Sequence, residues 1–184
     1  MLIYNSSKGY GAIPQAAHWL TVILVAVAWT LGFFGDDLPK GPQRDAGLWV
    51  HISAGLAVLI LLVVRLTWNV FNPPPSARTT TLGIWSVRLR QAAHYLLYAL
   101  LIAVPVAGIV LQFAHGESIP VFGLFEIVSP WVKDRAFSRN IKEVHEILAH
   151  TLIVVAGFHA AVALIHHWIL RDRTLARMLP RFGE

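Results

Sequence analysis

The chain has 184 residues, 56% of them hydrophobic and only 14% charged, with a mean hydropathy of +0.59 and a net charge of +5. Soluble domains usually carry nearer about a quarter charged residues, so the composition argues against a water-soluble globule and for a membrane protein, and the length suits a single domain over residues 1–184. The absence of cysteine excludes thiolate iron–sulfur clusters, disulfides and thioether-linked haem. The basic balance fits Lys- and Arg-rich cytoplasmic loops and shows no separate basic domain for nucleic acid.

Four apolar runs follow in chain order. The first, at about 16–34 ("AAHWLTVILVAVAWTLGFF"), has no small-residue cleavage site followed by a soluble domain, and reads as a retained helix. The break "GDDLPKGPQRDAG" leads to the second run at about 48–68. The proline-rich "NVFNPPPSARTTTLGIWSVRLRQ" then leads to the third, at about 92–113. A long connection over 114–140 carries the apolar patch "IPVFGLF", expected to pack over one mouth of the bundle, and the fourth run spans about 144–170. Each run has roughly the 20 residues a hydrocarbon core requires. None alternates as a barrel strand would. The expected fold is all-α, an integral membrane four-helix bundle.

Orientation follows from the cations. With the N-terminus inside, Lys8, Arg65, Arg78, Arg88, Arg90, Arg171, Arg173, Arg177 and Arg181 are inner, while Lys40, Arg44, Lys133, Arg135, Arg139 and Lys142 are outer. The only inner acids are then Asp172 and Glu184. The excess of inner cations places both termini in the cytoplasm.

This orientation assigns depths to the histidines. His18 and His159 fall near the inner surface, His51 and His145 near the outer. Fourteen residues separate His145 from His159, so both rings lie within about 40° of one helix face and differ in depth by roughly 21 Å. Ionisable groups inside a membrane default to a functional reading. Two depth-matched imidazole pairs, His51 with His145 and His18 with His159, suit two bis-histidine haems held between helices. A zinc site would want three or four ligands at one depth. The small residues Ala17, Gly55, Gly157 and Ala160 would let the rings approach.

The other histidines read differently. His150 points about 140° away from His145, which suits a helix contact. His94, at the inner level of the third span, is compatible with a haem propionate, a quinone or the interface. His166 lies on the His159 face, about 10 Å nearer the inner surface, where a quinone oxygen or simple snorkelling would both suit it. His167 and His115 read as interfacial and loop residues. Arg65, Arg88 and Arg90 could meet propionates or lipid headgroups. The tryptophans, Trp19, Trp49 and Trp168 among them, read as an interface belt.

The segments "AAHWL", "WVHISAGLAVLILLVVRL", "VHEILAH" and "GFHAAVALIHHW" together resemble the bacterial, four-helix cytochrome b561 family over nearly the whole chain. More distantly the chain is similar to the cytochrome b subunits of membrane formate dehydrogenases and nickel–iron hydrogenases. The resemblance implies a bacterial inner-membrane cytochrome with two haems b, with His18, His51, His145 and His159 as axial ligands, and with ubiquinone as substrate or bound ligand near His166. It also implies an electron donor at the outer face, superoxide among the candidates, toward which Lys133, Arg135, Arg139 and Lys142 could steer an anion. The other reading is a haem-b anchor subunit relaying electrons from a partner dehydrogenase to quinone.

Overall fold

The computed structural model describes residues 3–6, 9–75 and 83–179, with side chains of the third helix described from Val87 onward. Lys8, Arg78, Arg181 and Glu184, used above for orientation, lie outside the described residues. Four long helices dominate: α1 (Ala12–Phe34), α2 (Pro42–Phe71), α3 (Gly83–Ala114) and α4 (Arg135–Trp168). All four are long and apolar enough to cross a membrane. The expected spans fall almost wholly inside them.

The helices start earlier than the apolar runs, because polar residues at their ends are helical without adding to the apolar count. Pro42 opens α2 at a first-turn position, where its missing N–H costs nothing. The largest difference is at α4, which begins at Arg135 rather than at about 144. There Asp134 caps the helix: its carboxylate accepts from the Ala136 and Phe137 amides at 2.9 and 3.0 Å. The polar turns 135–143 are therefore helical although they add nothing to the apolar count. At the other end α4 stops at Trp168, two residues short of the expected 170, and the chain turns through Arg171 at φ 51°.

The long connection holds a short antiparallel hairpin, β1 (Ile119–Val121) with β2 (Phe125–Ile127), which amends the all-α expectation locally. Phe122 and Gly123 form its turn, both at positive φ. Such a pair matches the twist of adjoining strands and favours glycine at the second position, as "FGLF" provides. Only the first part of the patch "IPVFGLF" closes against an end of the bundle: Ile119 is buried and β1 contacts α2 and α3, whereas Phe122, Leu124 and Phe125 are exposed.

Helix packing is paired. α1 lies along α2 and α3 along α4, with α2 against α3 joining the pairs. The core comprises Val58 and Leu62 of α2, Leu100 and Leu101 of α3, and Leu152 of α4, flanked by Leu24, Val25, Leu97, Tyr98, Val104, Leu148 and Val155. On every helix this apolar layer lies between the two histidine levels. Outward-facing residues such as Ile60, Val63, Ile147, Val154 and Phe158 are exposed. So much exposed apolar surface suits lipid and not water.

The segment after α4 folds back against the end of the bundle near His18 and His159, the end expected to be inner. The Trp19 indole N–H donates to the Met178 carbonyl at 2.8 Å, and the Tyr10 amide donates to the Arg177 carbonyl at 3.3 Å. Trp19, expected in an interface belt, thus also fastens this segment to α1.

Asp134→Ala removes the α4 cap. It should lower stability by about 1 kcal/mol, read as a lower melting temperature of the detergent-solubilised protein with its visible spectrum intact.

Candidate functional site

At the outer level, His51 of α2 and His145 of α4 face each other across the two helix pairs. Their ring centres are 6.0 Å apart and their planes are inclined at 74°. Each ring is fixed by a carbonyl of the helix paired with its own. His51 Nδ1 donates to the Ala28 carbonyl of α1 at 2.8 Å, and His145 Nδ1 donates to the Val104 carbonyl of α3 at 3.0 Å. With Nδ1 donating, the proton is assigned there and Nε2 keeps its lone pair. This is the orienting bond that metal-ligating histidines usually carry. Two imidazoles on opposite sides of one metal ion, with metal–nitrogen bonds of about 2 Å, have centres roughly 6 Å apart. The residues present therefore fit a bis-histidine metal centre.

Two small residues beyond the expected ones lie behind these rings. A Cβ on Gly32 would come within 3.0 Å of the His51 ring, and one on Gly108 within 3.2 Å of the His145 ring. Gly55 and Gly157 have nothing within 4 Å of a Cβ position. The close approaches thus come from the neighbouring helix of each pair, whereas Gly55 and Gly157 share a helix with the ligands themselves.

The inner level repeats the paired arrangement with different partners. In the first pair, Arg65 of α2 reaches His18 Nδ1 of α1 at 3.5 Å, and its guanidinium lies 5.5 Å from the centre of the Tyr98 ring. In the second pair, His94 of α3 meets His159 of α4 edge-on, with ring centres 5.2 Å apart. His94 Nδ1 in turn donates to the Arg90 carbonyl at 2.7 Å. The inner level thus holds His18 with Arg65 in one helix pair and His94 with His159 in the other, where sequence reasoning stressed the pair His18 and His159.

His166, seven residues beyond His159, donates through Nδ1 to Asp172 at 2.5 Å. This partner was not among the expected site residues. The two are joined across the helix end, with the Asp172 amide donating to the His166 carbonyl at 3.0 Å. Burial works against the Asp172 charge, but the bonds from His166 and from Thr174 outweigh it and hold the carboxyl below its ordinary 3.8. His150 turns toward α1, accepting from the Trp29 indole at 3.2 Å, and makes a helix contact. His167 and His115 take no part in either level. His115 follows α3, its amide bonded to the Leu111 carbonyl.

At the outer surface Lys142 is paired with Asp36 at 3.1 Å and with Glu146 at 3.6 Å, and Asp36 also holds Arg44. Its charge is therefore partly neutralised, unlike what a steering role requires. Beside the hairpin an open pocket of about 470 Å³ is lined in part by Asp45, Trp49, Gln112, Glu117 and Glu126.

Four membrane-spanning helices with opposed imidazoles define a b-type membrane cytochrome, a multi-pass protein that transfers electrons. Residues 9–181 match the family described as prokaryotic cytochrome b561, and the chain belongs to that family. It is 33% identical to the probable superoxide oxidase CybB of Yersinia pestis over 95% of this chain and 97% of that protein. It is 32% identical to cytochrome b561 homolog 2 of Escherichia coli K12 over 98% and 96% of the two. A shorter likeness, 28% over 86 residues, links it to the probable Ni/Fe-hydrogenase 1 B-type cytochrome subunit of Escherichia coli K12, covering 42% of this chain and 37% of that protein.

The depressed Asp172 carboxyl carries a pH dependence. A lowered folded-state value means the charged form stabilises the turn above pH of about 3.8, and this contribution fades as pH falls through the lower folded value. Hydrogen-exchange protection of the Thr174 amide, corrected for the intrinsic rate, should hold from neutral pH to about 4 and drop below it. Protection that is already lost above about pH 4 contradicts the assignment.

Proposed function

We propose that the chain holds two haems b, one toward each leaflet, and carries electrons between an outer donor and the membrane quinone pool. His51 and His145 are the axial ligands of the outer haem, His18 and His159 those of the inner. The observation that carries this reading is the outer pair: two opposed rings, each with Nδ1 tied to a carbonyl and Nε2 left to ligate. Haem b so bound supplies a one-electron iron couple. With imidazole on both axial sides no coordination position remains for a small molecule, which favours electron exchange over binding at the metal. The apolar layer of Val58, Leu62, Leu100, Leu101 and Leu152 separates the two levels and excludes water between them. Arg65, beside His18, is the cation that would meet propionates at the inner level. His94 and His166 are the inner-face groups available to a quinone.

The two termini are cytoplasmic in this reading, as the inner excess of cations supports, and the membrane is the bacterial inner membrane. The donor is superoxide, in keeping with the name of the Yersinia pestis relative. Among the basic residues of the last connection, Lys133, Arg135 and Arg139 are better placed than Lys142 to attract it, since Lys142 is engaged by carboxylates. The anchor-subunit reading draws on the hydrogenase cytochrome, but that likeness covers less than half of either chain. Superoxide-dependent quinone reduction by the purified chain favours the enzyme, and a stable complex with a dehydrogenase favours the anchor.

Two substitutions test the ligand pairing. His159→Ala and His145→Ala should each leave about half the haem per chain, with different remaining spectra. Loss of both haems from either variant, or of neither, overturns the pairing. Gly32→Val should push the His51 ring from its place and mimic His51→Ala, lowering haem content by up to half while the inner haem stays. Unchanged haem content in Gly32→Val would show that this contact does not position the ligand.

A further inference from the structure

We propose that Asp172 is the positioning residue for proton delivery to quinone, acting through His166. The inference rests on the reading above that quinone meets the chain at His166. Three bonds make Asp172 a built partner and not a passing surface contact. One carboxylate oxygen accepts from His166 Nδ1 at 2.5 Å, the other from the Thr174 amide at 2.8 Å, and the Asp172 amide itself donates to the His166 carbonyl at 3.0 Å. The His166 side chain is 18% exposed and that of Asp172 31%, so the histidine is the better shielded partner. Arg171 and Arg173 on either side are exposed, whereas Asp172 is turned in. The left-handed Arg171, at φ 51°, makes that reversal.

The segment is held at its far end too, through the Arg177 and Met178 carbonyls to α1. The carboxylate is thus carried on a turn fastened on both sides, beneath the inner histidine cluster. With Nδ1 committed to Asp172, Nε2 is the one remaining polar atom of the His166 ring. A carboxylate on Nδ1 fixes the ring's orientation, as an aspartate does for a catalytic imidazole. The protonated ring then donates Nε2–H to a quinone carbonyl oxygen.

The balance is simple. Reduction of the quinone to the quinol consumes two electrons and two protons, and the electrons come one at a time from ferrous haem b, which becomes ferric. One proton leaves His166 Nε2 for the quinone oxygen, and cytoplasmic water returns a proton to the ring. The second proton reaches the other quinone oxygen from solvent. Asp172 keeps its charge throughout.

The test uses the haem-loaded, detergent-solubilised chain, reduced chemically and freed of reductant, then mixed in a stopped-flow instrument with a short-chain ubiquinone analogue. Haem reoxidation is followed against quinone concentration. Asp172→Asn removes the charge and keeps a single acceptor oxygen, enough for Thr174 or for the ring but not for both. It should slow the limiting rate roughly ten-fold, at the low end of what positioned proton donors contribute. The half-saturating quinone concentration, haem content and midpoint potentials should stay unchanged. Asp172→Glu should restore most of the rate, and His166→Ala should be at least as slow as Asp172→Asn. Wild-type rates in Asp172→Asn with a slow His166→Ala overturn the role of Asp172 and leave the quinone reading standing. Wild-type rates in His166→Ala remove quinone from this histidine and the proposal with it. Loss of haem in both Asp172 variants overturns the proposal in favour of a purely structural tether.

Discussion

An imidazole inside a hydrocarbon layer must have its polar atoms satisfied. The arrangement of this bundle follows from how that demand is met. His51 and His145 each spend one nitrogen on a carbonyl of the adjoining helix, Ala28 of α1 and Val104 of α3. Those bonds lie within the tightly packed pairs α1/α2 and α3/α4. They leave the second nitrogens to meet across the boundary between the pairs. The inner level is built differently: Arg65 donates to His18 Nδ1, and His94 meets His159 edge-on within the α3/α4 pair. The molecule is thus two helix hairpins, each presenting one carbonyl-oriented imidazole to the other at the level of His51 and His145.

The apolar layer gives this arrangement its consequence. Val58 and Leu62 on α2, Leu100 and Leu101 on α3 and Leu152 on α4 fill the space between the levels. Leu148, Leu152 and Val155 occupy the face of α4 between His145 and His159. The spacing along that helix, about 21 Å of rise, is therefore held by packed side chains. A family of electron carriers needs that combination of fixed polar levels and a dry interval. At the two ends the fold differs. The outer end carries a hairpin and carboxylates, while the inner end is closed by a turn that brings Asp172 to His166.

Much of this was legible in the sequence because membrane depth can be counted. Hydropathy located four spans, and a rise of 1.5 Å per residue put the histidines into two levels. The carbonyls of Ala28 and Val104 were not legible, because a backbone acceptor has no side-chain signature. Gly32 and Gly108 were legible in principle. They lie on the neighbouring helices at the depth of His51 and His145, and the depth count that paired the histidines would have found them had it been applied to small residues. Asp172 was read only as an inner acid. Its bond to His166 depends on Arg171 reversing the chain, and a non-glycine residue in the left-handed region gives no sequence signal. The early start of α4 was signalled by Asp134, a capping residue outvoted by a hydropathy count that could not register polar helix.

The claim at the centre is that four imidazoles clamp two haems at two unlike levels. A potentiometric titration of the purified wild-type chain, combined with haem quantitation and low-temperature electron paramagnetic resonance, tests it most directly. The account predicts two haems b per chain, both low-spin in the ferric state as two imidazole ligands require, titrating at two separate potentials because one lies beside Arg65 and the other does not. A single haem per chain, or a high-spin ferric signal from a five-coordinate iron, would contradict it.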